Sequence, residues 1–210
     1  MKVLVTGSEG FVGRHLCKQL EAQGDEVIRI DIRLGSDILD CDLIDADRVY
    51  HLAAQTNALT EDARHDAVVN ILGSIRIFSH YKNKSVYASS SMVNFPRIPY
   101  AISKSTAEHY AIFYGAAVVR LCNLFGAGGH SVIDRFEKDE VLCIYGAGTQ
   151  VRTYAPVERA VDALMKAKPG IPLVLRGTNY SVLDLANRHP NKKREYFQRL
   201  SMDLESAPQL

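Results

Sequence analysis

The 210-residue chain has almost no charge imbalance: 25 Lys and Arg stand against 24 Asp and Glu, a formal net charge of +1. That balance gives no electrostatic reason to coat nucleic acid or a membrane surface. No apolar run approaches the roughly 20 residues that a membrane-spanning helix needs. No secretory leader is expected either, because the residues after Met1 read at once as a core strand entering a glycine turn. The four cysteines, Cys17, Cys41, Cys122 and Cys143, lie far apart with no C-x-x-C pair. They are expected to be small buried hydrophobes in a reducing, cytoplasmic setting, with no disulfide framework and no metal site. Internal repeats and low-complexity tracts are also missing. What remains is the composition of an ordinary folded protein, 47% hydrophobic and 23% charged. The length suits one substantial core with a small addition.

Apolar periodicity alternates between strand and helix along the first two thirds. Lys2 to Thr6, Glu26 to Ile30, Arg48 to Ala53, Ser85 to Ser89 and Ala117 to Leu121 read as strands, with a further short one near Ser36 to Leu39. Phe11 to Gln23, Leu59 to about Tyr81 and Ala101 to Tyr114 read as helices between them. This rhythm predicts an α/β fold, a Rossmann-type doubly wound parallel sheet over residues 1–122. A small, partly interleaved substrate-binding cap is expected over residues 123–210, with helices near Pro156 to Lys168 and Ser181 to Asn187. From Pro190 the chain is polar and reads as a terminal helix or a loose end.

Two motifs carry chemistry. Thr6 to Gly13 (TGSEGFVG) sets Gly7, Gly10 and Gly13 three residues apart between the first strand and the first helix. Glycines there permit a tight turn and let a pyrophosphate approach the backbone, while the helix N-terminus offers free N–H groups. Asp31 ends the second strand, where a carboxylate can hold a ribose diol, with Ile32 and Arg33 beside it. A carboxylate repels a 2′-phosphate, which favours NAD, although Arg33 leaves room for NADP. Further along, Tyr100 and Lys104 stand four residues apart on one helix face, just after the Ser89-Ser90-Ser91 strand end. An ammonium beside a phenol is expected to favour the phenolate and so prepare a base.

In this order the motifs resemble the extended short-chain dehydrogenase/reductases, in particular the NAD-dependent epimerase/dehydratase family of nucleotide-sugar enzymes. The resemblance rests on Thr6 to Gly13, Asp31, Asp42-Leu43, HLAAQTN at His51 to Asn57, and Asn70 with Gly73. It continues through Ser89 to Val93, Tyr100 to Lys104, Arg120 to Gly128, Ile144 to Tyr154 and Tyr180 to Ala186. It implies that Gly7, Gly10, Phe11, Val12 and Gly13 meet the pyrophosphate of NAD, and that Asp31 holds the adenosine ribose. Asp42 and Leu43 would lie against adenine, Leu52, Ala53 and Ala54 would line the cofactor, and Asn70 would share in the site. It further implies Ser90, Tyr100 and Lys104 as the catalytic set, Lys104 also holding the nicotinamide ribose. Ser90, Asn123 and Arg152 would hold the substrate, a nucleotide-diphosphate sugar, and a homodimer is implied as well.

By the same resemblance the expected reaction is epimerisation, at C4, through a transient keto-sugar. Dehydratases of this family place an acidic pair directly after the catalytic Ser/Thr, whereas Ser91 and Met92 stand here. The rival expectations are an NAD(P)H-dependent reductase of a keto-sugar or other carbonyl, and a non-catalytic NAD-binding protein. Two departures from the family pattern stand out. Only ten positions separate Ser90 from Tyr100, and Val93-Asn94-Phe95 replaces the usual V-Y-G. Ten residues span about 33 Å when extended, so the short loop can still bring Tyr100 to Ser90.

Overall fold

The computed structural model describes residues 1–57 and 62–198. In chain order, β1 (Lys2–Thr6), α1 (Phe11–Ala22), β2 (Glu26–Ile30) and β3 (Arg48–His51) come first. Next, α2 (Ala63–Asp66) runs through a π-helical stretch, Ala67–Gly73, into α3 (Ser74–Tyr81). Then follow β4 (Ser85–Ser90), α4 (Pro99–Phe113), β5 (Ala117–Leu121), β6 (Asn123–Phe125), α5 (Val132–Lys138), β7 (Val141–Tyr145) and β8 (Val151–Pro156). The chain continues with α6 (Val157–Lys166), β9 (Leu173–Val174), β10 (Thr178–Ser181), α7 (Val182–Asn187) and β11 (Lys193–Phe197).

The elements sort into two compact units. The first holds Met1–Leu121 and recovers Glu158–Leu175; the second holds Cys122–Val157 and the chain from Arg176. In the first, six strands form one sheet in the order β2-β1-β3-β4-β5-β9, every pair parallel. A parallel sheet needs cover on both faces, and the side-chain parity of β1 shows it. Val3 and Val5 join Leu16, Leu20, Val161 and Leu164 from α1 and α6 on one face. Leu4 joins Ile77, Phe78, Ala107 and Ala111 from α3 and α4 on the other. Strand order reverses at β1, whose neighbours are β2 on one side and β3 on the other. In such sheets the crevice beyond the carboxyl ends of the strands at that reversal is where ligands bind. The second unit builds its own core from Ile133, Phe136, Leu142, Ile144, Tyr154, Val182 and Leu185. Two small sheets frame it, β10-β8-β6 and β11-β7.

Three local expectations need correction or restriction. The stretch Ser36 to Leu39 is a turn and not a strand, because the Asp37 carboxylate accepts the Leu39 amide at 3.0 Å and turns the chain. Arg76 then pins that turn through the carbonyls of Ile38 (2.9 Å) and Cys41 (2.6 Å). The chain end is neither helical nor loose over Lys193–Phe197, which pairs in parallel with β7. The helix expected from Leu59 begins at Ala63 in the structure, and Leu59 itself lies outside the described residues.

Phe78 is fully buried between α3 and the sheet. We expect Phe78→Ala to cost about 3–5 kcal/mol, a large part of a typical folding stability. Ile171→Ser, at a position 95% exposed, should change stability by no more than about 0.5 kcal/mol. Urea unfolding of the two variants checks this; equal shifts would place Phe78 outside the core.

Candidate active site

The turn between β1 and α1 is dictated by glycine at two of its positions. Gly7 has φ +70, and a Cβ there would lie 2.7 Å from the amide nitrogen of Ala53 and 2.8 Å from the carbonyl carbon of Leu52. Both the left-handed backbone and the contact with the segment leaving β3 therefore exclude a side chain. Gly13, on the first turn of α1, faces the carbonyl oxygen of Gly7, and a Cβ there would collide with it. Gly10 caps α1 by backbone alone, with no side-chain cap and no acidic residue in the first turn. The N–H groups at Phe11, Val12 and Gly13 thus belong to an open helix N-terminus fit for an anion. Asp31 is nearly buried beside this turn, and its two carboxylate oxygens accept the amides of Glu9 and Arg33, each at 2.9 Å. A carboxylate has further lone pairs for a diol. Arg33 and Arg14 both donate to the Glu9 carbonyl at 2.8 Å, and Ile32 is exposed. A shaved backbone cradle, a free helix end and a fixed carboxylate fit a dinucleotide.

β3 delivers the next segment. The Leu52 amide donates to the Thr6 carbonyl (3.1 Å) and the Ala53 amide to Thr6 Oγ1 (3.2 Å), so Leu52, Ala53 and Ala54 follow β1 closely. Thr6 Oγ1 also meets His51 Nδ1 at 2.7 Å, and His51 Nε2 meets Ser74 Oγ at 2.8 Å. His51 has no exposed surface, and burial pulls its pKa down to about 3, so it is a neutral strut. Asn70 is a second strut. Its oxygen accepts the Gln55 amide (2.8 Å), while its nitrogen donates to the Gln55 carbonyl (3.0 Å) and Ser103 Oγ (2.9 Å). Its side chain is spent on fixing the segment after β3 to α4, an indirect share in the site. Leu43 is half-buried against the core and Asp42 is exposed, both beside the turn that Arg76 holds.

The reacting groups stand at the end of β4 and the start of α4. Ser90 Oγ accepts the Met92 amide at 3.2 Å, which starts the short turn Ser91–Asn94, and the Ser90 hydroxyl stands near enough to Tyr100 to favour its phenolate. The short loop therefore closes the Ser90–Tyr100 gap, helped by Pro99, whose fixed φ suits a first helical position. Lys104 is buried one turn further along; its Nζ donates to the Ala88 carbonyl at 2.7 Å and lies 4.2 Å from the centre of the Tyr87 ring. Burial pulls Lys104 down to about 7, opposed by Glu108. The expected lowering of Tyr100 by Lys104 is not what the structure shows. Burial raises Tyr100 and the Asp66 charge adds to this, while only the Ser90 hydroxyl works the other way. Lys104 spends its charge on a carbonyl and a ring face.

Sequence reasoning missed three buried polar groups here. His51 was visible as part of a motif, but no pattern showed its two partners. Asp66 has no exposed surface and neither oxygen is hydrogen-bonded, and burial raises its pKa. Glu108, buried, takes the Ser89 hydroxyl. Its signal was there to be read, since Tyr100, Lys104 and Glu108 continue one four-residue spacing.

In the second unit, Asn123 lies on β6 in register with Tyr154, and its nitrogen donates to the Thr153 carbonyl at 3.1 Å. Arg152 lies on β8 opposite Tyr180 of β10, with Nη1 donating to the Val151 carbonyl at 2.9 Å. Both stand in one small sheet. Among the described residues no three His, Cys, Asp or Glu side chains gather as a metal site, and no helix is long and apolar enough to cross a membrane.

Residues 3–169 match the sequence profile of the NAD dependent epimerase/dehydratase family. The chain is 26% identical to a UDP-glucose 4-epimerase of Mycolicibacterium smegmatis over 228 residues, covering 80% of this chain and 73% of that protein. It is also 26% identical to UDP-glucuronic acid decarboxylase 4 of Arabidopsis thaliana over 227 residues, 81% of this chain and 51% of that one. Both alignments are longer than the whole chain, so each relative carries internal segments that this chain lacks. Among solved structures, MoeE5 in complex with UDP-glucuronic acid and NAD superposes with a TM-score of 0.85 at 25% identity, covering 98% of this chain and 88% of that one.

The neutral His51 makes a pH test. Its folded pKa is below the unfolded value of about 6.5, so the unfolded chain binds the proton first. Stability is then full above pH 6.5 and falls as pH drops toward 3. Between pH 6.5 and 5 this group alone should remove on the order of 2 kcal/mol. We expect His51→Gln, neutral throughout, to lose that part of the slope in urea titrations at each pH. The same slope in both proteins would show that His51 is not buried as a neutral group.

Proposed function

Because the chain belongs to the NAD-dependent epimerase/dehydratase family, we propose that it is a nucleotide-sugar epimerase that inverts C4 of a UDP-hexose. The observation that carries this reading is Ser90 standing beside Tyr100 at the start of α4 with Lys104 one turn away, and no acid at Ser91 or Met92. The relatives named for UDP-glucose and UDP-glucuronic acid support a UDP-sugar.

NAD, held by the glycine turn and Asp31, would supply a hydride acceptor that later returns what it takes. Ser90 Oγ holds the reacting sugar hydroxyl toward Tyr100. Tyr100 accepts the proton of that hydroxyl as the carbon is oxidised, and gives it back when the carbon is reduced from its other face. Lys104 stabilises the charge that forms on Tyr100 and would hold the nicotinamide ribose. Asn123 and Arg152 would grip the substrate diphosphate, for which a guanidinium fork is well shaped.

With NAD and UDP-glucose, the protein should form UDP-galactose without accumulating NADH. Steady NADH consumption on a keto-sugar would make it a reductase, and carbon dioxide from UDP-glucuronate would make it a decarboxylase. Tyr100→Phe should keep NAD binding and lose at least about a hundredfold in turnover; full turnover would remove Tyr100 from the chemistry.

The same reading includes a homodimer. The outer face of α4 exposes Ile102, Tyr110 and Phe113, the last 78% exposed, an apolar strip along one helix. The parent should run at twice its 23.3 kDa chain mass in light scattering, and Phe113→Glu should halve that mass while leaving the circular dichroism spectrum unchanged. A monomeric parent would end this part of the reading.

A further inference from the structure

Glu108 is 3% exposed and lies one helical turn beyond Lys104, which lies one turn beyond Tyr100. Its carboxylate accepts from Ser89 Oγ of β4 and from Arg120 of β5, whose Nε reaches both oxygens (3.0 and 3.2 Å) and whose Nη2 reaches Oε1 at 2.6 Å. Arg120 Nη1 then donates to Asn94 Oδ1 at 3.0 Å, at the end of the turn that Ser90 begins. One ion pair, buried at its Glu108 end, thus ties together α4, the ends of β4 and β5, and the turn after the serine.

A buried ion pair is a weak source of stability, because desolvating two charges offsets most of their attraction. Here both Glu108 oxygens are hydrogen-bonded, Arg120 keeps part of its surface in contact with solvent, and the pair links α4 to the turn after Ser90. Asn94 also stands where the family pattern has another residue, and here it is the acceptor that completes the Arg120 fork. We propose that Glu108, Arg120 and Asn94 form a positioning unit, in which Glu108 keeps Lys104 positively charged beneath Tyr100 and the Arg120–Asn94 link holds the turn of Ser90.

This rests on the reading of Tyr100 as the acid/base. Burial draws Lys104 toward the neutral amine, and Glu108 opposes it. The charged and titratable groups around Lys104 are Tyr100 and Glu108 on α4, Tyr87 on β4, His51 on β3, Arg120 on β5 and Asp66 on α2. Only Glu108 and Asp66 can add negative charge at neutral pH, and Asp66 is itself pushed toward its neutral form by burial.

The test reads Lys104 directly. In protein labelled with ¹³C-lysine, the Lys104 Cε signal, assigned through Lys104→Met, is titrated with neither NAD nor sugar present. Glu108→Gln keeps the shape and removes the charge, and the Lys104 midpoint should fall by about half a unit to one unit. Turnover of the same variant should drop about threefold to tenfold at pH 8 and stay near the parental value at pH 6. Asn94→Leu should lower kcat about tenfold with KM unchanged, and Asn94→Asp, which keeps an acceptor for Arg120, should restore it. An unmoved Lys104 midpoint overturns the role of Glu108, and an unchanged kcat in Asn94→Leu overturns the role of the link. If no sugar is turned over, the epimerase reading fails while the lysine titration still decides the Glu108 part. If Glu108→Gln does not fold, the Asn94 pair decides.

Discussion

The first unit depends on one close approach, that of Gly7 to the backbone of Leu52 and Ala53. Two strands that diverge from β1 in sequence are brought to a single point there. Ile30, the last residue of β2, accepts the Gly7 amide at 2.8 Å, while the segment leaving β3 lies within a methyl's breadth on the other side. Any side chain at Gly7 would push the β3 exit away from β1 and open the hydrogen bonds from Leu52 and Ala53 to Thr6. The turn is thus a backbone-only junction. Because Gly7 carries no side chain, the amides of Gly7 to Gly10 turn inward onto Ile30, Asp31 and Gly7 itself, and the chain enters α1 with its first-turn amides left to meet an anion.

Polar burial follows from that junction. The α3 and α4 side of the sheet buries Thr6, His51, Ser74, Asn70, Ser103, Ser89 and Glu108 next to Leu4, Ile77 and Phe78. Each of these polar groups has a partner, as burial demands. The partners run between elements and not within them: β1 to β3 to α3 through His51, the β3 exit to α4 through Asn70, and α4 to β4 and β5 through Glu108. Apolar contacts would hold these layers at a range of similar separations. Directional bonds hold them at one, which matters where Ser90 and Tyr100 must meet to within a hydrogen bond.

Legibility in the sequence follows the range of each interaction. Strands β1, β2 and β5 and the helices α1 and α4 could be read because their periodicity and glycine punctuation are local. The glycine turn, Asp31, and the Tyr100–Lys104 spacing were legible for the same reason. Ser36 to Leu39 misled because its apolar residues, Ile38 and Leu39, suit a strand. Only Ile38 is buried, and its burial comes instead from an Asp37 turn that Arg76, some forty residues away, clamps in place. The strand at Lys193–Phe197 was invisible, since its alternation is weak and its partner β7 lies about fifty residues earlier. Glu108, Arg120 and Asn94 look like three unrelated polar residues until β4, β5 and α4 are assembled.

The direction in which Tyr100 and Lys104 move is the point at which sequence and structure part most usefully. From spacing alone, a lysine four residues from a tyrosine should draw out the phenolic proton. In the folded chain Lys104 is buried and Tyr100 partly so, and desolvation favours the neutral form of each: it raises the phenol and lowers the ammonium. Their mutual attraction, which requires both to be charged, is therefore opposed twice by desolvation. The balance between them is set by surrounding fixed charges, of which Glu108 favours the ammonium and Asp66 opposes the phenolate. A phenol held in its neutral form in this way responds strongly to any positive charge brought close to it, because the low dielectric that penalises ionisation also magnifies the attraction. A phenol that burial keeps protonated in the protein alone is thus the physical condition for a base whose formation is controlled by what binds beside it.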